Sequence, residues 1–343
     1  MHVLITGGNG LLGRHLVPEL QGRGDAVRVL TLPDEDTSWL DERGVPVVAG
    51  DVSRPETLVA PMRGVEAVLH LAGMMGVWRP LADYRAVNVT GAENVARAAL
   101  AVGVRRFVHV SSWTVYGMNL GRPADEDFPL RPFHEPYAVT KAEGDRLIQR
   151  LIREAGLPAV IIRPGTFFGP GDRLHFGRTA DRLRAGRGLI VGSGRNALPF
   201  VYVSDVVQGL LLALDVDAAT GHAYNIAHDQ PLTQQQFLNT VAAATGAKRP
   251  SLHAPYNALY VAGYAAERLA ALTGSRRQPV LTRLGVKVFG SDNRHAIDKA
   301  RRELGYAPRV ALRDGVVRAA EWYLQQGSSA KLSVAAAGAG ITV

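Results

Sequence analysis

The sequence predicts an α/β fold in which a doubly wound parallel sheet is joined to a smaller C-terminal α/β subdomain. Short apolar runs alternate with helical patterns from the first residue, a glycine-rich turn follows the first run, and this rhythm loosens after residue 165. The runs are apolar throughout, which is typical of strands covered by helices on both faces of a parallel sheet.

Six apolar runs predict the strands of the main sheet, at residues 2–6, 26–31, 45–50, 66–73, 105–112 and 159–165. Helical spacing of apolar residues predicts helices at 11–20, 81–102, 136–155 and 204–215, and later at 256–272 and 311–326. We therefore expect an N-terminal domain over residues 1–165 with returns near 199–227, an interleaved subdomain over 166–326, and a flexible tail over 327–343.

The composition excludes several classes of protein. The absence of cysteine excludes a disulfide framework and a thiolate metal site, and we expect no metal. No apolar run reaches the roughly 18 residues of a spanning helix, and the first residues read as a strand rather than a signal peptide. We therefore expect a cytoplasmic protein with no spanning segment.

Basic side chains outnumber acidic ones by 39 to 31, and residues 248–318 alone contain 14 basic and 5 acidic side chains. Nucleic-acid binding at such a charge requires a basic helix or a basic motif studded with aromatic residues. The sequence has neither, so we expect no nucleic-acid partner.

The first turn, TGGNGLLG at residues 6–13, follows a strand and opens a helix. Its glycines allow a tight turn and a close backbone approach to a pyrophosphate, which binds the free N–H groups of the helix start. At this position the pattern predicts a dinucleotide-binding site.

The end of the second strand bears on the choice between NAD and NADP. The strand ends at Thr31, without the acidic residue that is typical of NAD enzymes and without an arginine nearby. Acidic residues at 34–36 follow and would repel a 2′-phosphate. The sequence therefore favours NAD and leaves NADP open.

Tyr137 and Lys141 stand four residues apart at the start of a predicted helix, so they share one face. A lysine ammonium beside a phenol stabilises the phenolate and lowers the pKa of the tyrosine. Ser111 and Ser112 end a strand at the edge of the sheet where ligands bind. This combination predicts a carbonyl or alcohol redox site.

With these features the chain resembles the extended short-chain dehydrogenase/reductase family over residues 2–326. The matching motifs include GDV (50–52), HLAG (70–73), NVTG (88–91), SSWTVYG (111–117), RPG (163–165), FGPGD (168–172) and FVYVSDV (200–206). The resemblance implies a Rossmann doubly wound parallel sheet, a smaller C-terminal α/β substrate-binding subdomain, and NAD(P)-dependent chemistry with the catalytic triad Ser112, Tyr137 and Lys141.

The resemblance also implies a set of cofactor-binding residues. Ser111 is expected on the cofactor side, Asp51 and Val52 beside the adenine, and Asn88 in the proton relay or supporting the helix beneath it. The full set is Gly7, Gly10, Leu11, Leu12, Gly13, Thr31, Asp51, Val52, Leu71, Ala72, Gly73, Asn88, Ser111, Tyr137, Lys141, Pro164, Gly165 and Thr166.

Four positions bear on the branch of the family. Trp113 and Thr114 stand where dehydratases of this family carry an acidic pair. Thr166 and Leu198 stand where nucleotide-sugar epimerases typically have an asparagine and an arginine for the sugar diphosphate. The remaining segments are similar to the 3β-hydroxysteroid dehydrogenase-like branch, which implies oxidation or reduction of a bulky apolar alcohol or ketone. The substrate-binding residues that we expect are Met74, Trp78, Trp113 and Phe167.

Two other functions stay open at this point. A nucleotide-sugar 4-epimerase is the main alternative, since Arg173 and Arg195 lie near enough in sequence to contact a diphosphate. The other is a catalytically silent dinucleotide sensor, against which the intact Ser112, Tyr137 and Lys141 argue.

Two expectations concern partners. The basic residues 248–318 surround a nearly uncharged helix, which indicates contact with a membrane surface or a carrier protein, against the alternative of arginines on a solvated face. The resemblance suggests a homodimer through the helices at 81–102 and 136–155.

Overall fold

The computed structural model describes residues 1–275 and 278–327. Its strands are β1 His2–Thr6, β2 Ala26–Thr31, β3 Val47–Ala49, β4 Ala67–His70, β5 Arg106–Val110, β6 Ala159–Pro164, β7 Thr166–Phe168, β8 Ile190–Val191, β9 Phe200–Tyr202, β10 Ala223–Ile226 and β11 His253–Ala254. Its α-helices are α1 Leu11–Gly22, α2 Ser38–Asp41, α3 Val59–Met62, α4 Leu81–Arg85, α5 Ala92–Val102, α6 Pro136–Ala155, α7 Arg178–Arg184, α8 Val203–Asp215, α9 Gln234–Thr245, α10 Tyr256–Leu272, α11 Arg283–Gly290, α12 Asp298–Leu304 and α13 Leu312–Gly327.

Within the described residues the main sheet has seven strands in the order β3-β2-β1-β4-β5-β6-β10, and every neighbouring pair is parallel. The predicted doubly wound parallel sheet is confirmed. Strand order reverses beside β1, because β2 and β3 lie on one side of it and β4 on the other. A ligand crevice opens beyond the carboxyl ends of the strands at such a reversal.

Three predicted elements are wrong in detail. The helix predicted over 81–102 is interrupted, because the π-helical segment Ala86–Gly91 separates α4 from α5. This segment passes close to the chain after β3, where a β-carbon on Gly91 would lie 2.8 Å from a methyl group of Val52. The strands predicted over 45–50 and 66–73 are shorter, since the chain leaves the ladder after Ala49 and His70.

The local sequence determines that helix α6 begins at Pro136. Glu135 caps it by accepting a hydrogen bond from Ala138 N at 3.1 Å, and Pro136 occupies the first helical position. Gly156 ends the helix with a φ of 65°. The fixed start determines which face Tyr137 and Lys141 present to the rest of the molecule.

Beyond residue 165 the chain leaves the main sheet and returns to it. β7 pairs with β9, and β8 pairs with β11, in two small parallel sheets. α8 then packs against β5 and β6, and β10 extends the main sheet. The division into domains over 1–165 and 166–326 stays a prediction.

Helices α4 and α6 lie side by side and are joined by an ion pair of Arg85 and Glu143 at 2.7 Å. A homodimer through this part of the molecule stays a prediction, as does the cytoplasmic location. No described helix is long and apolar enough to cross a membrane. Of the tail predicted over 327–343, all but Gly327 lies outside the described residues.

Candidate active site

The glycine-rich loop between β1 and α1 has the shape that a pyrophosphate needs. Gly7 adopts a φ of 70°, and a β-carbon there would lie 2.7 Å from Ala72 N, so the loop packs directly on the chain leaving β4. A β-carbon on Gly13 would lie 2.1 Å from Gly8 O. No side chain caps the start of α1 at Leu11, which leaves its first N–H groups for a phosphate. The loop therefore fits a dinucleotide.

The close approach at Gly13 gives a prediction. Gly13→Ala is expected to weaken dinucleotide binding about tenfold or more and to lower the free energy of unfolding by about 1–3 kcal/mol, because the methyl group forces the loop and the helix apart. Isothermal titration and urea unfolding measure the two effects. Gly22→Ala is the matched control in the same helix, since a β-carbon there meets nothing within 4 Å. Equal cofactor affinity in both variants would contradict the assigned role of Gly13.

One of the three acidic residues predicted to repel a 2′-phosphate lies beside this loop. Glu35, in the turn after β2, accepts hydrogen bonds from Asn9 Nδ2 at 2.9 Å and from Leu32 N at 3.2 Å. The indole of Trp39 also contacts Asn9, and the Arg14 guanidinium lies 4.8 Å from the centre of the Trp39 ring. The end of β2 thus presents both a carboxylate, which suits ribose hydroxyls, and a guanidinium, which suits a phosphate.

Ser112 and Tyr137 come together at the carboxyl edge of the sheet. Ser112 opens the 3₁₀ turn Trp113–Tyr116, and its Oγ accepts hydrogen bonds from Thr114 Oγ1 at 3.0 Å and from Thr114 N at 3.3 Å. Both acceptor positions of the oxygen are then used, which leaves the Ser112 hydroxyl to act as a donor. The Ser112 hydroxyl lies close enough to the Tyr137 phenol to lower its pKa.

Lys141 is buried one turn after Tyr137, and its ammonium donates to Val110 O at 2.7 Å. Burial lowers the pKa of Lys141 to about 8, while the Asp145 carboxylate acts in the opposite direction. The expected lowering of the tyrosine pKa is not seen. Burial raises the pKa of Tyr137 to about 12, against the effect of the Ser112 hydroxyl, and the Glu135 carboxylate adds to the rise. The ammonium is held by a strand carbonyl, whereas the phenol packs on apolar side chains.

Asn88 is fully engaged by protein groups. Its Oδ1 accepts from Met74 N at 2.7 Å, and its Nδ2 donates to Met74 O at 3.1 Å and to Thr140 Oγ1 at 3.0 Å. The π-helical segment places it between the chain after β4 and the first turns of α6. Of the two roles expected for Asn88, these contacts favour support of the helix.

A buried ion pair behind the site is a feature that the sequence analysis missed. Asp145 and Arg163 form two hydrogen bonds of 2.9 Å, and both side chains are almost fully buried. Ser111 Oγ donates to Asp145 Oδ2 at 2.6 Å, and Arg163 Nη1 donates to the Tyr116 hydroxyl at 2.8 Å. The i, i+4 spacing from Lys141 was the available signal for Asp145.

A cleft opens beside the start of α6. Apolar and aromatic side chains from the segment after β4, the loop before α6 and α11 contribute to its lining: Val77, Trp78, Tyr84, Phe133 and Leu284. Arg283 also lines it and is paired with Glu267 through bonds of 2.6 Å and 2.8 Å. Lys287 lies 4.0 Å from the Phe133 ring centre. The cleft reaches the start of α6 at Glu135 and Pro136, which directly precede Tyr137 in the chain.

Of the four predicted substrate residues, Trp78 lines this cleft. Trp113 is buried and donates to Thr166 Oγ1 at 2.9 Å, Met74 is held by Asn88, and Phe167 packs on the core. The rings of His295 and Trp113 lie in contact, with their centres 5.5 Å apart. The sequence did not predict this contact.

The remaining predicted cofactor residues follow the ends of neighbouring strands. Asp51 accepts from Ser53 N at 2.8 Å and from Ser53 Oγ at 2.7 Å, so one of its oxygens is already occupied. The residues that lie buried or half-buried at the strand ends and around the loop are Gly10, Leu11, Leu12, Thr31, Val52, Leu71, Ala72, Gly73, Pro164, Gly165 and Thr166.

Comparison with known proteins gives a consistent picture. The family model described as "NAD dependent epimerase/dehydratase family" matches residues 3–227. The chain is 32% identical to a 2-alkyl-3-oxoalkanoate reductase of Stenotrophomonas maltophilia, over 93% of this chain and 98% of that protein. It is 33% identical to a 4-hydroxy-2-methyl-3-oxo-4-farnesyl-3,4-dihydroquinoline-1-oxide ketoreductase of Stigmatella aurantiaca, over 92% and 95%. It is 30% identical to a 3-beta-hydroxysteroid dehydrogenase of Mycolicibacterium neoaurum, over 94% and 91%.

Two solved structures are similar along nearly the whole chain. The crystal structure of gox2253 superposes with a TM-score of 0.81 at 31% identity, covering 95% of this chain and 98% of that one. A dTDP-glucose 4,6-dehydratase from Streptomyces venezuelae, with NAD and TYD bound, gives a TM-score of 0.76 at 27% identity, covering 96% and 98%.

Proposed function

The chain belongs to the NAD-dependent epimerase/dehydratase family, and from this premise we propose that it is an NAD-dependent oxidoreductase that interconverts a secondary alcohol and a ketone on a bulky apolar substrate. The observation that carries the proposal is the cleft at the start of α6, to which apolar and aromatic side chains contribute and which includes Pro136, the residue before Tyr137. The relatives named as ketoreductases, oxoalkanoate reductases and hydroxysteroid dehydrogenases support the reaction type.

In the proposed reaction, each residue of the site has a separate role in hydride transfer, proton transfer or charge stabilisation. NAD, when bound on the loop at Gly7–Gly13, supplies the hydride acceptor or donor. In alcohol oxidation the Tyr137 side chain, as its phenolate, takes the proton of the substrate alcohol and becomes the phenol. Ser112 donates a hydrogen bond to the substrate oxygen as charge develops there. The Lys141 ammonium provides positive charge one helical turn away. In the direction of reduction, the same phenol gives a proton to the ketone oxygen.

NAD is favoured over NADP by the carboxylate at the end of β2. Glu35 is fixed by Asn9 and by Leu32 N, where it would repel a 2′-phosphate. The NAD-bound structural neighbour supports the same choice. Arg14 is the competing feature, and the ratio of the affinities for NAD and NADP measures which of the two side chains dominates.

The proposal is tested by turnover with a panel of β-keto acids bearing long alkyl chains, steroid ketones and aromatic ketones. We expect oxidation of NADH, followed at its ultraviolet absorbance, for at least one apolar ketone. Absence of net cofactor oxidation or reduction across the panel, in protein that binds NAD, would count against it.

A nucleotide-sugar 4-epimerase stays the second candidate because two basic side chains, Arg283 and Lys287, lie at the cleft. Against it, Leu198 is fully buried and apolar where such enzymes typically place an arginine. Incubation with UDP- and dTDP-sugars distinguishes the two functions, because an epimerase inverts the sugar without net change in its bound NAD.

The lowered pKa of Lys141 gives a pH prediction. Its positive charge is complete below about pH 8 and is lost as the pH rises through that value. We expect kcat/KM for ketone reduction to fall above about pH 8, by up to tenfold per pH unit. Lys141→Arg should move this alkaline limb upward, since a guanidinium keeps its charge. A flat profile up to pH 10 would show that the charge of Lys141 does not matter.

A further inference from the structure

Helix α10 exposes an unusual surface. Of the nine large apolar side chains that the described residues expose, six lie between residues 252 and 280. On α10 itself, Val261 is 65% exposed, Leu269 is 64% exposed and Leu272 is 79% exposed. Contiguous exposed apolar surface of this kind marks an interaction site in soluble proteins.

The exposed side chains form one face of the helix. With 100° between successive residues, the side opposite Gly263 is composed of Ala258, Val261, Ala265, Arg268, Leu269 and Leu272, here called the outer face of α10, and all six are exposed. Gly263 and Ala270, on the inner side, are buried. A β-carbon on Gly263 would lie 3.1 Å from Arg283 N, so the inner side packs closely on the start of α11.

Charge around the outer face is basic. Arg268 lies on the face, and the acidic residue of the helix, Glu267, is turned inward to Arg283. Val280, which is 84% exposed, follows the helix, and its carbonyl accepts from Arg182 Nη2 at 2.9 Å. Arg178 contacts Gln278 one turn earlier on α7. Arg268 is therefore the charged residue of the outer face, and two more arginines, Arg178 and Arg182, contact the segment that follows the helix.

We propose that the outer face of α10 is a docking surface for an anionic lipid bilayer. A helix with an apolar centre and a basic rim lies in the bilayer interface, where its apolar side chains enter the acyl region and its arginines meet anionic headgroups. A second copy of the chain fits less well, because pairing two such faces brings like charges together. An acidic carrier protein also fits less well, because it would be held by ion pairs and five of the six residues are apolar.

Helix α10 lies between the outer face and the cleft. Glu267 lies on the inner side of α10, and Gln278, Thr282, Arg283 and Leu284 follow the helix, and all of them line the cleft beside α6. A bilayer bound to the outer face would lie about 10 Å, one helix diameter, from the cleft, so an apolar substrate leaving the acyl region would have a short path to it. This delivery role depends on the proposed function, whereas binding to the bilayer does not.

The test is flotation of the full chain with vesicles, without substrate or cofactor. We expect binding to vesicles that contain phosphatidylglycerol to exceed binding to pure phosphatidylcholine about tenfold and to weaken with salt. Leu269→Glu/Leu272→Glu should abolish it. Val59→Glu/Leu324→Glu adds the same charge at exposed apolar positions elsewhere and should bind like the unchanged chain. Thermal unfolding checks that both variants fold.

Three results would overturn the proposal. The first is no binding to either kind of vesicle, and the second is equal binding by the two double variants. The third is a shift from dimer to monomer in light scattering on Leu269→Glu/Leu272→Glu, which would make the face a contact between copies. Because flotation uses no redox readout, vesicle binding by a chain without ketone turnover would refute the proposed function alone.

Discussion

Tyr137→Phe is expected to lower kcat for alcohol oxidation and ketone reduction by about 10²–10⁴-fold, because it removes the group that exchanges a proton with the substrate oxygen. Cofactor affinity should stay close to that of the unchanged protein, since the ring and its packing are retained. Steady-state kinetics and titration with NAD measure the two quantities. Burial raises the pKa of Tyr137 to about 12, so the phenol is protonated at neutral pH. Tyr137→Phe therefore removes the proton that the phenol would give to the ketone.

Tyr323→Phe is the matched control, since it makes the same chemical change on α13, where the hydroxyl donates to Asp181 at 2.5 Å. It should leave turnover unchanged. Retention of more than a tenth of the rate in Tyr137→Phe would refute the assignment of this phenol as the proton-exchanging group. Ser112 would then be the group to test next, because it is the hydroxyl in contact with the phenol.

Asp145→Asn is expected to lower the free energy of unfolding by about 3–5 kcal/mol, because it leaves the Arg163 guanidinium buried without its counter-charge. The carboxylate accepts two bonds from Arg163 and one each from Ser111 and Gln149, and its exposure is 0%. Urea unfolding measures the change. The amide keeps the size of the side chain, so the effect reports charge rather than a cavity.

Glu143→Gln provides the comparison on the same helix. Glu143 also forms two hydrogen bonds to an arginine, Arg85, but this pair is half-exposed. Water screens such a pair, so its loss should cost no more than about 1 kcal/mol. Similar losses in the two variants would mean that the Asp145 pair is stabilised no more than a surface pair.

The pair of Asp145 and Arg163 makes the free energy of unfolding depend on pH in the acid range. Burial by itself would raise the pKa of Asp145, but the Arg163 charge and the hydrogen bonds of Arg163, Ser111 and Gln149 hold it below its ordinary value of 3.8. A carboxyl whose folded pKa is lowered stabilises the fold fully above its unfolded pKa and loses this contribution as the pH falls through the folded value. Asp145→Asn should therefore weaken the dependence of stability on pH below about 4.

Replacing Asp145 should also change the pKa of Lys141 in the candidate active site. Its carboxylate raises the pKa of Lys141 against the effect of burial. The alkaline limb of ketone reduction should therefore move to lower pH in Asp145→Asn, while a purely structural role would change stability and leave the limb in place. This readout separates the two roles in a variant that still folds.

The main sheet and its ligand edge were predictable from the sequence because they depend on local patterns. Apolar runs fixed the positions of β1, β2 and β6, and the glycine loop at residues 6–13 marked the crevice. Tyr137 and Lys141 share a face because helix geometry alone determines it. The π-helical segment Ala86–Gly91 was not predictable from local spacing, and it lies where Gly91 passes close to Val52, a contact between distant residues.

The chemical state of the site was decided by the tertiary structure. The sequence placed a lysine beside a tyrosine, and from spacing alone we expected a lowered tyrosine pKa. In the fold, Lys141 donates to the Val110 carbonyl, and burial raises the pKa of Tyr137. Trp113, which the sequence predicts as a substrate contact, is buried in the fold and donates to Thr166 Oγ1.

The sequence by itself therefore determined the class of fold and the dinucleotide loop, and it predicted which side chains react. These follow from spacing along one strand, one turn or one helix. Only the tertiary structure decided which side chains line the cleft, how the Asp145 and Arg163 charges are paired behind it, and that α10 turns its apolar face outward. Those features arise from burial and from contacts between distant segments, and burial is what changes the free energy of a charge or of an apolar surface.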